Sequence, residues 1–346
     1  MIPNLQENVP LAPLTTLNVG GPARYFLRAE REDDVIRGFE FARANDLLVF
    51  ILGGGSNLLV SDNGFEGLVI QIALKGIISD GDTITAAAGE DWDAFVGYCV
   101  DRDLAGVECL SGIPGTVGGT PVQNVGAYGQ EVSETIVQVR CYDRRTREIL
   151  DLSNEKCGFK YRVSIFNSTE RERYVVLAVI YRLARGAAPK LAYKDLIDAF
   201  GNWTPTLKQA RERVLSIRRA KSMVIDSNDL NSRSAGSFFK NPVISIEEFS
   251  KMKERFGDSI PHFPAGNESV KVPAAWLIER SGFTKGFTSG NAGISTNHTL
   301  AIINRGGATA AEIVSLKNMI QDGVFEKFSI SLVPEPVFVG KFSAKS

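Results

Sequence analysis

Cysteine and histidine are both scarce in this sequence of 346 residues. The cysteines follow neither a CxxC pattern nor a spacing typical of zinc sites, and they are Cys99, Cys109, Cys141 and Cys157. His262 and His298 are too few for a histidine-rich metal site, and no spacing pairs either of them with a cysteine nucleophile. The sequence therefore predicts no metal site. It predicts reduced, buried thiols of the kind usual in a cytoplasmic protein.

An excess of charge of either sign is also absent. The 39 basic and 40 acidic residues give a formal net charge of -1. We therefore expect no cationic surface for nucleic acid or for an anionic membrane. No apolar run reaches the roughly 18 residues that a transmembrane helix requires. The N-terminus has no basic stretch followed by an apolar one, so we expect no secretory signal and a cytoplasmic location.

Two common nucleotide-binding motifs are missing as well. Neither GxGxxG nor GxxxxGK[ST] occurs, which argues against a Rossmann dinucleotide site and against a P-loop. Any nucleotide bound here must therefore be held by a different arrangement of backbone.

At 346 residues and 44% hydrophobic content, the chain is long enough for two or three domains, each with its own core.

The spacing of apolar residues predicts a mixed set of helices and strands. Helical spacing is found at 33–44, 92–100 and 207–219, and after Pro273 and Thr309. Strands are predicted at 47–52, 68–72, 83–89, 135–142, 174–183, 298–304 and 328–332. Because these elements follow no even βαβ rhythm, they favour an α+β fold over a doubly wound parallel sheet. A polar stretch near 220–230 predicts a domain boundary, with a return near 325.

Glycine, in contrast, is abundant at two places. The segment SGIPGTVGGTPVQNVGAYGQ at 111–130 contains six glycines in twenty residues, and the segment GGGSN at 53–57 follows an apolar strand. Glycine-rich backbone can approach a ligand closely and can present a row of N–H groups to an anion. Two such loops predict a large ligand that carries a pyrophosphate. The alternative is that both are tight turns, which fits GGGSN better than the longer segment.

Three further segments combine residues that are useful in catalysis. YRVSIF at 161–166 places Tyr161 beside Arg162, whose forked guanidinium suits a planar carboxylate. SAGSFFKNP at 234–242 leaves Ser237 accessible between small residues and a pair of phenylalanines, although a serine without a nearby histidine is a poor acyl-transfer nucleophile. The prolines on both sides of Glu335 restrict its backbone. Taken singly, the first segment fits a surface Tyr-Arg pair better and the second fits an ordinary loop serine better. The third fits an edge-strand or turn glutamate about as well as a placed carboxylate.

Together, and in this order over about residues 14–340, these segments resemble the UDP-N-acetylenolpyruvoylglucosamine reductases, a family of flavoenzymes. YRVSIF together with LAYKDL at 191–196 resembles the subtype that closes a tyrosine-bearing loop over the substrate. The resemblance implies an α+β fold with two FAD-binding subdomains of the vanillyl-alcohol-oxidase type and a third, substrate-binding domain. The implied domains are 1–70, then 71–225 with a C-terminal return at 326–346, and 226–325 for the substrate.

The resemblance also assigns residues to roles. FAD, held without a covalent bond, would contact Gly53, Gly54, Gly55, Ser56, Asn57, Ile113, Pro114, Gly115, Gly118, Gly119, Asn124, Gly126, Ala127 and Tyr128. The catalytic set would be Arg162, Ser237 and Glu335. The sugar nucleotide would be held by Tyr161, Tyr193, Lys221 and Asn241.

The implied activity is the reduction of the enolpyruvyl ether of UDP-N-acetylglucosamine, with NADPH as hydride donor, in peptidoglycan precursor synthesis. The expected partners are small molecules only, and we expect a monomer. Two rivals remain open. One is an oxidase of the same fold that reacts with oxygen, and the other is a non-catalytic protein that binds flavin or a sugar nucleotide.

Overall fold

The computed structural model of the chain describes residues 4–342. Residues 1–3 of the predicted domain 1–70 and residues 343–346 of the predicted return 326–346 lie outside the described residues. Contacts divide the chain into two units. The first contains the chain up to Val9, Ala23–Gly55 and Phe65–Val224, and the second contains Pro10–Pro22, Ser56–Gly64 and the chain from Ile225 onward. The division into three domains stays a prediction.

The first unit is built on two larger sheets. One has four strands in the order Leu5–Pro10, Pro22–Ala29, Phe65–Ile72 and Val49–Leu52, of which the last three run parallel. The other has five antiparallel strands in the order Ile149–Ser153, Ile136–Asp143, Tyr174–Arg182, Thr83–Ala87 and Ile77–Asp80. Two short antiparallel pairs complete it, a hairpin of Gly126–Ala127 with Gln130–Glu131 and a pairing of Leu104–Ala105 with the distant Ala184–Arg185.

The second unit carries smaller sheets. Two have three strands each, in the orders Val243–Ser245, Ser269–Lys271, Phe263–Pro264 and Thr288–Ser289, Ala292–Ile294, Ile302–Asn304. A parallel pair joins Leu58–Val60 to Val337–Val339. The mixture of helices with mainly antiparallel sheets in both units confirms the predicted α+β class.

The helices within the described residues are α1 Glu32–Ala44, α2 Trp92–Val100, α3 Lys194–Phe200, α4 Leu207–Ala220, α5 Ile246–Phe256, α6 Ala274–Arg280 and α7 Ala310–Phe328. Short 3₁₀ turns occur at Ala12–Leu14, Glu108–Leu110, Val117–Gly119, Val132–Glu134, Glu155–Cys157, Ile165–Asn167 and Leu230–Ser232. No helix in this part of the chain combines the length and the hydropathy needed to cross a membrane.

Helix α2 anchors the core of the first unit through the apolar face that its spacing predicted. The buried members of that face are Trp92, Phe95, Val96, Cys99 and Val100. The indole Nε1 of Trp92 donates to the carbonyl of Leu110 at 3.0 Å, just before the long glycine loop. The fully buried Tyr181 of the five-stranded sheet shares a hydrogen bond of 3.1 Å with Thr120 inside that loop. The core therefore holds the loop at two points.

The four cysteines are buried and free, as the sequence predicted. Burial raises the pKa of Cys109, the thiol nearest in sequence to the long glycine loop, to about 12. Such a thiol is protonated and unreactive at neutral pH.

Several sequence predictions need correction at the ends of elements. The strand predicted at 328–332 is wrong, because α7 continues to Phe328 and ends at Ser329, whose φ of +57° is left-handed. Only Ile302–Asn304 of the strand predicted at 298–304 pairs in a sheet. Helices α3 and α5 were missed, and α3 begins inside the LAYKDL segment that was predicted to be a loop. Helix length and strand length depend on tertiary pairing, which periodicity does not contain.

Helix α7 of the second unit begins on a carboxylate from the segment that follows GGGSN. The two oxygens of Asp62 accept the N–H groups of Ala310 at 2.7 Å and Ala311 at 2.9 Å. Thr309 adds a side-chain cap, accepting the N–H of Glu312 at 3.1 Å. A carboxylate at a helix N-terminus satisfies N–H groups that have no partner within the helix and interacts favourably with the helix dipole.

We expect Asp62→Ala to lower the free energy of unfolding of the second unit by about 1 kcal/mol, because two N–H groups of α7 lose their acceptor. Hydrogen exchange of peptides from α7, followed by mass spectrometry, measures the change locally. Asp80→Ala, an exposed aspartate at the end of the strand Ile77–Asp80, is the matched control and should change stability by less than about 0.5 kcal/mol. Equal protection of α7 in both variants would contradict this account of Asp62.

Candidate active site

The two glycine segments touch each other through their backbones. A Cβ atom on Gly54 would lie 2.6 Å from the Cα of Gly115, and one on Gly53 would lie 3.1 Å from Oγ1 of Thr116. Real Cβ atoms do not approach backbone as closely as 2.6 Å, so a larger residue at Gly54 would force the loops apart. Glycine at this position is therefore a requirement of the contact between the loops.

The second glycine loop also packs against the segment that leads into α2. The N–H of Trp92 donates to the carbonyl of Gly115 at 3.1 Å, and the N–H of Gly118 donates to the carbonyl of Ala88 at 2.9 Å. A Cβ on Gly118 would lie 2.6 Å from the Cβ of Ala88. Because these contacts fix the path of the loop, its backbone groups keep their directions without a ligand.

Backbone donors remain available in this arrangement. Among residues 4–342, the N–H groups of Gly54 and Gly55 donate to no protein acceptor. A Cβ on Gly119 would meet no atom of a described residue within 4 Å. Unpaired N–H groups in a glycine turn form an anion-binding concavity. The first unit therefore has backbone donors that suit a pyrophosphate, and the assignment of the glycine loops to that ligand stays a prediction.

An ion pair supports the start of the second loop. The carboxylate of Asp93 accepts the N–H of Gly112 at 2.5 Å and a two-point contact from Arg211 at 2.6 and 2.9 Å. Burial by itself would raise the pKa of Asp93, but the hydrogen bonds from Arg211 and Gly112 together hold that pKa below its usual range. Asp93 therefore remains charged and ties α2 and α4 to the loop.

Arg218 of α4 provides a further donor beside the same loop. Its side chain is buried, Nη2 donates to the carbonyl of Met223 at 2.8 Å, and Nε has no hydrogen-bond partner among the described residues. A Cβ on Gly112 would lie 3.4 Å from this Nε. A buried, unpaired donor is costly unless a ligand satisfies it. The loop contacts, the open N–H groups and this orphaned nitrogen all fit a bound flavin nucleotide.

Arg162 sits at the tip of a tight turn closed by reciprocal hydrogen bonds between Lys160 and Val163. Its φ of +57° lies in the left-handed region, which is uncommon for a residue with a long side chain. Nη2 donates to the carbonyl of Gly126 in the second glycine loop at 2.7 Å. The guanidinium carbon lies 5.4 Å from the ring centre of Tyr161. The turn and the glycine loop therefore both hold Arg162, and together they keep its backbone in a strained conformation.

Asn124 joins the same loop to the same turn. It is buried, and its φ of +45° is left-handed. Its Nδ2 donates to the carbonyl of Lys160 at 3.1 Å and to Glu131 at 2.8 Å, while its Oδ1 accepts the N–H of Ser133 at 3.1 Å. The side chain of Asn124 therefore braces the Arg162 turn, and the assignment of Asn124 to the cofactor stays a prediction.

Tyr193 meets the glycine loop just before α3, and Lys221 lies at the end of α4. The ring of Tyr193 packs edge-on against Tyr128 with 5.3 Å between ring centres. Lys221 follows α4 and pairs with Asp195 of α3 at 3.6 Å. Burial raises the pKa of both tyrosines, so both hydroxyls stay protonated at neutral pH. Tyr193 is therefore packed on the loop through Tyr128, and Lys221 joins the end of α4 to α3.

Ser237 belongs to the second unit, where the two phenylalanines after it are buried. The N–H of Phe238 donates to the carbonyl of Leu300 at 2.8 Å, and the N–H of Glu335 donates to the carbonyl of Phe238 at 2.9 Å. The carbonyl of Glu335 in turn accepts Nδ2 of Asn57 at 3.3 Å. These bonds place Ser237 and Glu335 on adjacent segments of the chain with fixed backbones. Two of the three predicted catalytic residues are therefore brought together.

A histidine that the sequence did not connect to the site lies beside Ser237. Nε2 of His298 is 3.3 Å from Oγ of Ser237. The expectation of a serine without a nearby histidine is therefore wrong. The two residues are 61 positions apart, so no local spacing could have indicated the pair.

Asn241, predicted to bind substrate, has a structural contact in the second unit. Its Oδ1 accepts the N–H of Ala274, the first residue of α6, at 2.9 Å. Arg162 belongs to the first unit, whereas Ser237, Glu335 and Asn241 belong to the second.

Comparisons with known proteins match two parts of the chain to protein families. Residues 228–339 match the family model described as UDP-N-acetylenolpyruvoylglucosamine reductase, C-terminal domain, and residues 23–153 match a FAD binding domain. The chain is 48% identical to the UDP-N-acetylenolpyruvoylglucosamine reductase of Streptomyces coelicolor, over 96% of this chain and 90% of that protein. It is 46% identical to the reductase of Thermobifida fusca, over 98% and 99%.

A solved structure shares the fold. The chain superposes on the UDP-N-acetylenolpyruvylglucosamine reductase of Thermus caldophilus with a TM-score of 0.68 and 24% identity, over 97% of this chain and all of that one. The match of residues 23–153 to a FAD binding domain confirms the predicted flavin-binding fold and FAD as cofactor.

We expect Gly54→Ala to weaken FAD binding roughly tenfold to a hundredfold, because the new Cβ would push Gly115 away. Overpacking of this kind costs about 1–3 kcal/mol, and about 1.4 kcal/mol corresponds to a factor of ten. Titration of the apoprotein with FAD, followed by fluorescence quenching, measures the dissociation constant.

Gly119→Ala serves as the matched control for that variant. Its Cβ meets no described atom within 4 Å, so the thermal unfolding temperature of the apoprotein should stay unchanged, whereas Gly54→Ala should lower it. If Gly54→Ala bound FAD like the unaltered protein, contact between the loops would not control the cofactor site.

Proposed function

Because this chain belongs to the UDP-N-acetylenolpyruvoylglucosamine reductase family, we propose that it reduces the enolpyruvyl ether of UDP-N-acetylglucosamine to the D-lactyl ether of UDP-N-acetylmuramate, with the roles of Arg162, Ser237 and Glu335 set out below. The observation that carries these roles is the hydrogen bond from the backbone of Glu335 to Phe238. This bond keeps the hydroxyl of Ser237 and the carboxyl group of Glu335 on neighbouring, rigid segments of the chain.

FAD, held by the two glycine loops, would supply the redox chemistry by which a hydride from NADPH reaches C3 of the enolpyruvyl group. The chain supplies the site for this chemistry through the two glycine loops, whose N–H groups and small residues accept the pyrophosphate and the flavin without a bulky side chain between them. No histidine or cysteine is present in either glycine loop, in agreement with non-covalent binding.

Arg162 and Glu335 stabilise the charge that develops on the substrate carboxylate. Hydride addition at C3 pushes electron density through C2 into this carboxylate, which becomes enediolate-like. A guanidinium fork binds such a group at two points, and Arg162 is held for that purpose by its turn and by the carbonyl of Gly126. Glu335 serves best as a neutral acid that donates a hydrogen bond to the same group.

Ser237 completes the reaction by protonating C2. A serine hydroxyl is a weak acid, but the enediolate is a strong base, so the transfer runs in the favourable direction. The buried rings of Phe238 and Phe239 keep the serine backbone in place, which lets the hydroxyl approach one face of the substrate.

The UDP portion is held by tyrosine hydroxyls and polar side chains, in the manner of the tyrosine-loop subtype. Tyr193 packs on Tyr128 and Lys221 pairs with Asp195 of α3, and the proposal gives both the phosphates, with Tyr161 and Asn241 as further contacts. The proposal also includes a cytoplasmic, monomeric enzyme. Size-exclusion chromatography with light scattering tests the monomer.

Ser237→Ala should leave the reduction of FAD by NADPH near normal and slow its reoxidation by the enolpyruvyl sugar nucleotide at least about a hundredfold, the lower end of what a general acid contributes. The measurement is an anaerobic visible spectrum. The flavin band is first bleached with one equivalent of NADPH, and its return is then timed after addition of the sugar nucleotide.

The unaltered protein is the reference in that experiment. Return of its oxidised band with the sugar nucleotide alone supports the proposed reaction. A band that returns only with oxygen would favour an oxidase, and a protein that holds no flavin would favour a non-catalytic binder. Equal slowing of both half-reactions in Ser237→Ala would contradict the role given to Ser237.

Tyr193→Phe should raise KM for the sugar nucleotide about tenfold and change kcat little, because a hydrogen bond to a charged group contributes about 1.5–3 kcal/mol to binding. Steady-state kinetics with varied sugar nucleotide provides both constants. Tyr25→Phe, whose ring packs on Phe41 in the first unit, is the control and should leave KM unchanged. An unaltered KM in Tyr193→Phe would show that this tyrosine does not hold the substrate.

A further inference from the structure

The contact between Ser237 and His298 has no part in the roles given so far. Oγ of Ser237 and Nε2 of His298 are 3.3 Å apart, and both side chains are half-buried. A serine that donates its proton is left as an alkoxide, which is a very strong base. The proton must be replaced at once, and an imidazole is the side chain best suited to that task near neutral pH.

Fixed backbone contacts hold His298 in this position. The carbonyl of His298 accepts the N–H of Ala301 at 3.1 Å, which closes a turn. The next residue, Thr299, is buried and its hydroxyl donates to Glu279 on α6. Leu300 then accepts the N–H of Phe238 at 2.8 Å, directly after Ser237. The turn that carries His298 is therefore attached to the chain that carries Ser237.

The other end of the turn is attached as well. Oδ1 of Asn231 accepts the N–H of Thr296 at 2.9 Å and its hydroxyl at 3.2 Å. Thr296 and Asn297 are exposed, so solvent reaches the turn next to His298. The hydroxyl of Ser237, the imidazole of His298 and the solvent beside the turn therefore follow one another in space.

We infer that His298 supplies Ser237 with the proton that the serine transfers to C2. This inference rests on the proposed function. In the step, the O–H bond of Ser237 breaks as the C2–H bond forms, and the Nε2–H bond of the His298 imidazolium breaks as the O–H bond of Ser237 is restored. The neutral imidazole then takes a proton from water. One proton leaves the solvent for each product formed, which balances the hydride from NADPH.

The direction of the hydrogen bond adds to this role. In the imidazolium, Nε2 donates to Oγ of Ser237, so the hydroxyl hydrogen of the serine is directed elsewhere and can face the substrate. In the neutral form with the proton on Nδ1, Nε2 accepts that same hydrogen. His298 is therefore a positioning residue as well as a source of protons, and it acts on the substrate only through Ser237.

His298→Gln tests the inference, because the glutamine amide can donate a hydrogen bond to Ser237 but cannot give up a proton. We expect reduction of FAD by NADPH to stay normal and reoxidation by the sugar nucleotide to slow roughly tenfold to a hundredfold. The double variant Ser237→Ala/His298→Gln should be no slower than Ser237→Ala, because the histidine acts through the serine. His262→Gln is the matched control: its Nδ1 contacts the carbonyl of Ile260 at 3.0 Å, and we expect normal rates in both half-reactions.

A spectroscopic measurement supplements the rates. The sequence contains two histidines, so the imidazole nitrogens of the holoenzyme labelled with ¹⁵N-histidine can be assigned by comparing variants. Ser237→Ala should shift the Nε2 signal of His298 and leave that of His262 in place. A structural role for His298 predicts instead that losses in the double variant add together.

The outcomes separate the two proposals. If the unaltered protein is not reoxidised by the sugar nucleotide, the proposed function fails. If it is reoxidised and His298→Gln reoxidises at the same rate, only the inference about His298 fails. Additive losses in the double variant, or an unshifted His298 signal in Ser237→Ala, would likewise overturn the proton supply.

Discussion

The close approach of two backbones in the first unit, Gly54 against Gly115, is the constraint on which its site depends. The strand Val49–Leu52 and the segment leading into α2 bring the two loops together, and no side chain larger than hydrogen fits at Gly54. Because the loops meet without side chains, their N–H groups stay exposed to a ligand. The Asp93–Arg211 pair and the Tyr181–Thr120 contact then hold the second loop from behind.

The second unit holds Ser237 and Glu335 in a different way. Its core is formed by α6, α7 and the phenylalanines after Ser237, and three chain segments are bonded side by side across it. The segment with Ser237 lies between the one ending in Leu300 and the one containing Glu335. A serine held in this way has little conformational freedom to lose when a substrate binds, which suits the proton transfer proposed for Ser237.

The sequence predicted the regular elements well where periodicity was strong. The buried face of α2 and the strands Ile136–Asp143 and Tyr174–Arg182 are examples, because their apolar spacing reflects burial directly. The short strands and the ends of helices were less predictable. The helix α7 absorbs the start of the predicted strand at 328–332, since capping and pairing by distant residues decide where an element ends.

The amino-acid sequence by itself determined the family and the α+β class, because rare residue combinations in a fixed order identify a family without any knowledge of the fold. The roles of particular side chains required the tertiary structure. Asn124, assigned to the cofactor, braces the turn of Arg162, and Asn241 supports the start of α6. His298 reaches Ser237 from 61 residues away, and the Nε of Arg218 is left beside Gly112 by the packing of α4. These contacts join residues far apart in the chain, and only the folded backbone decides which of them meet.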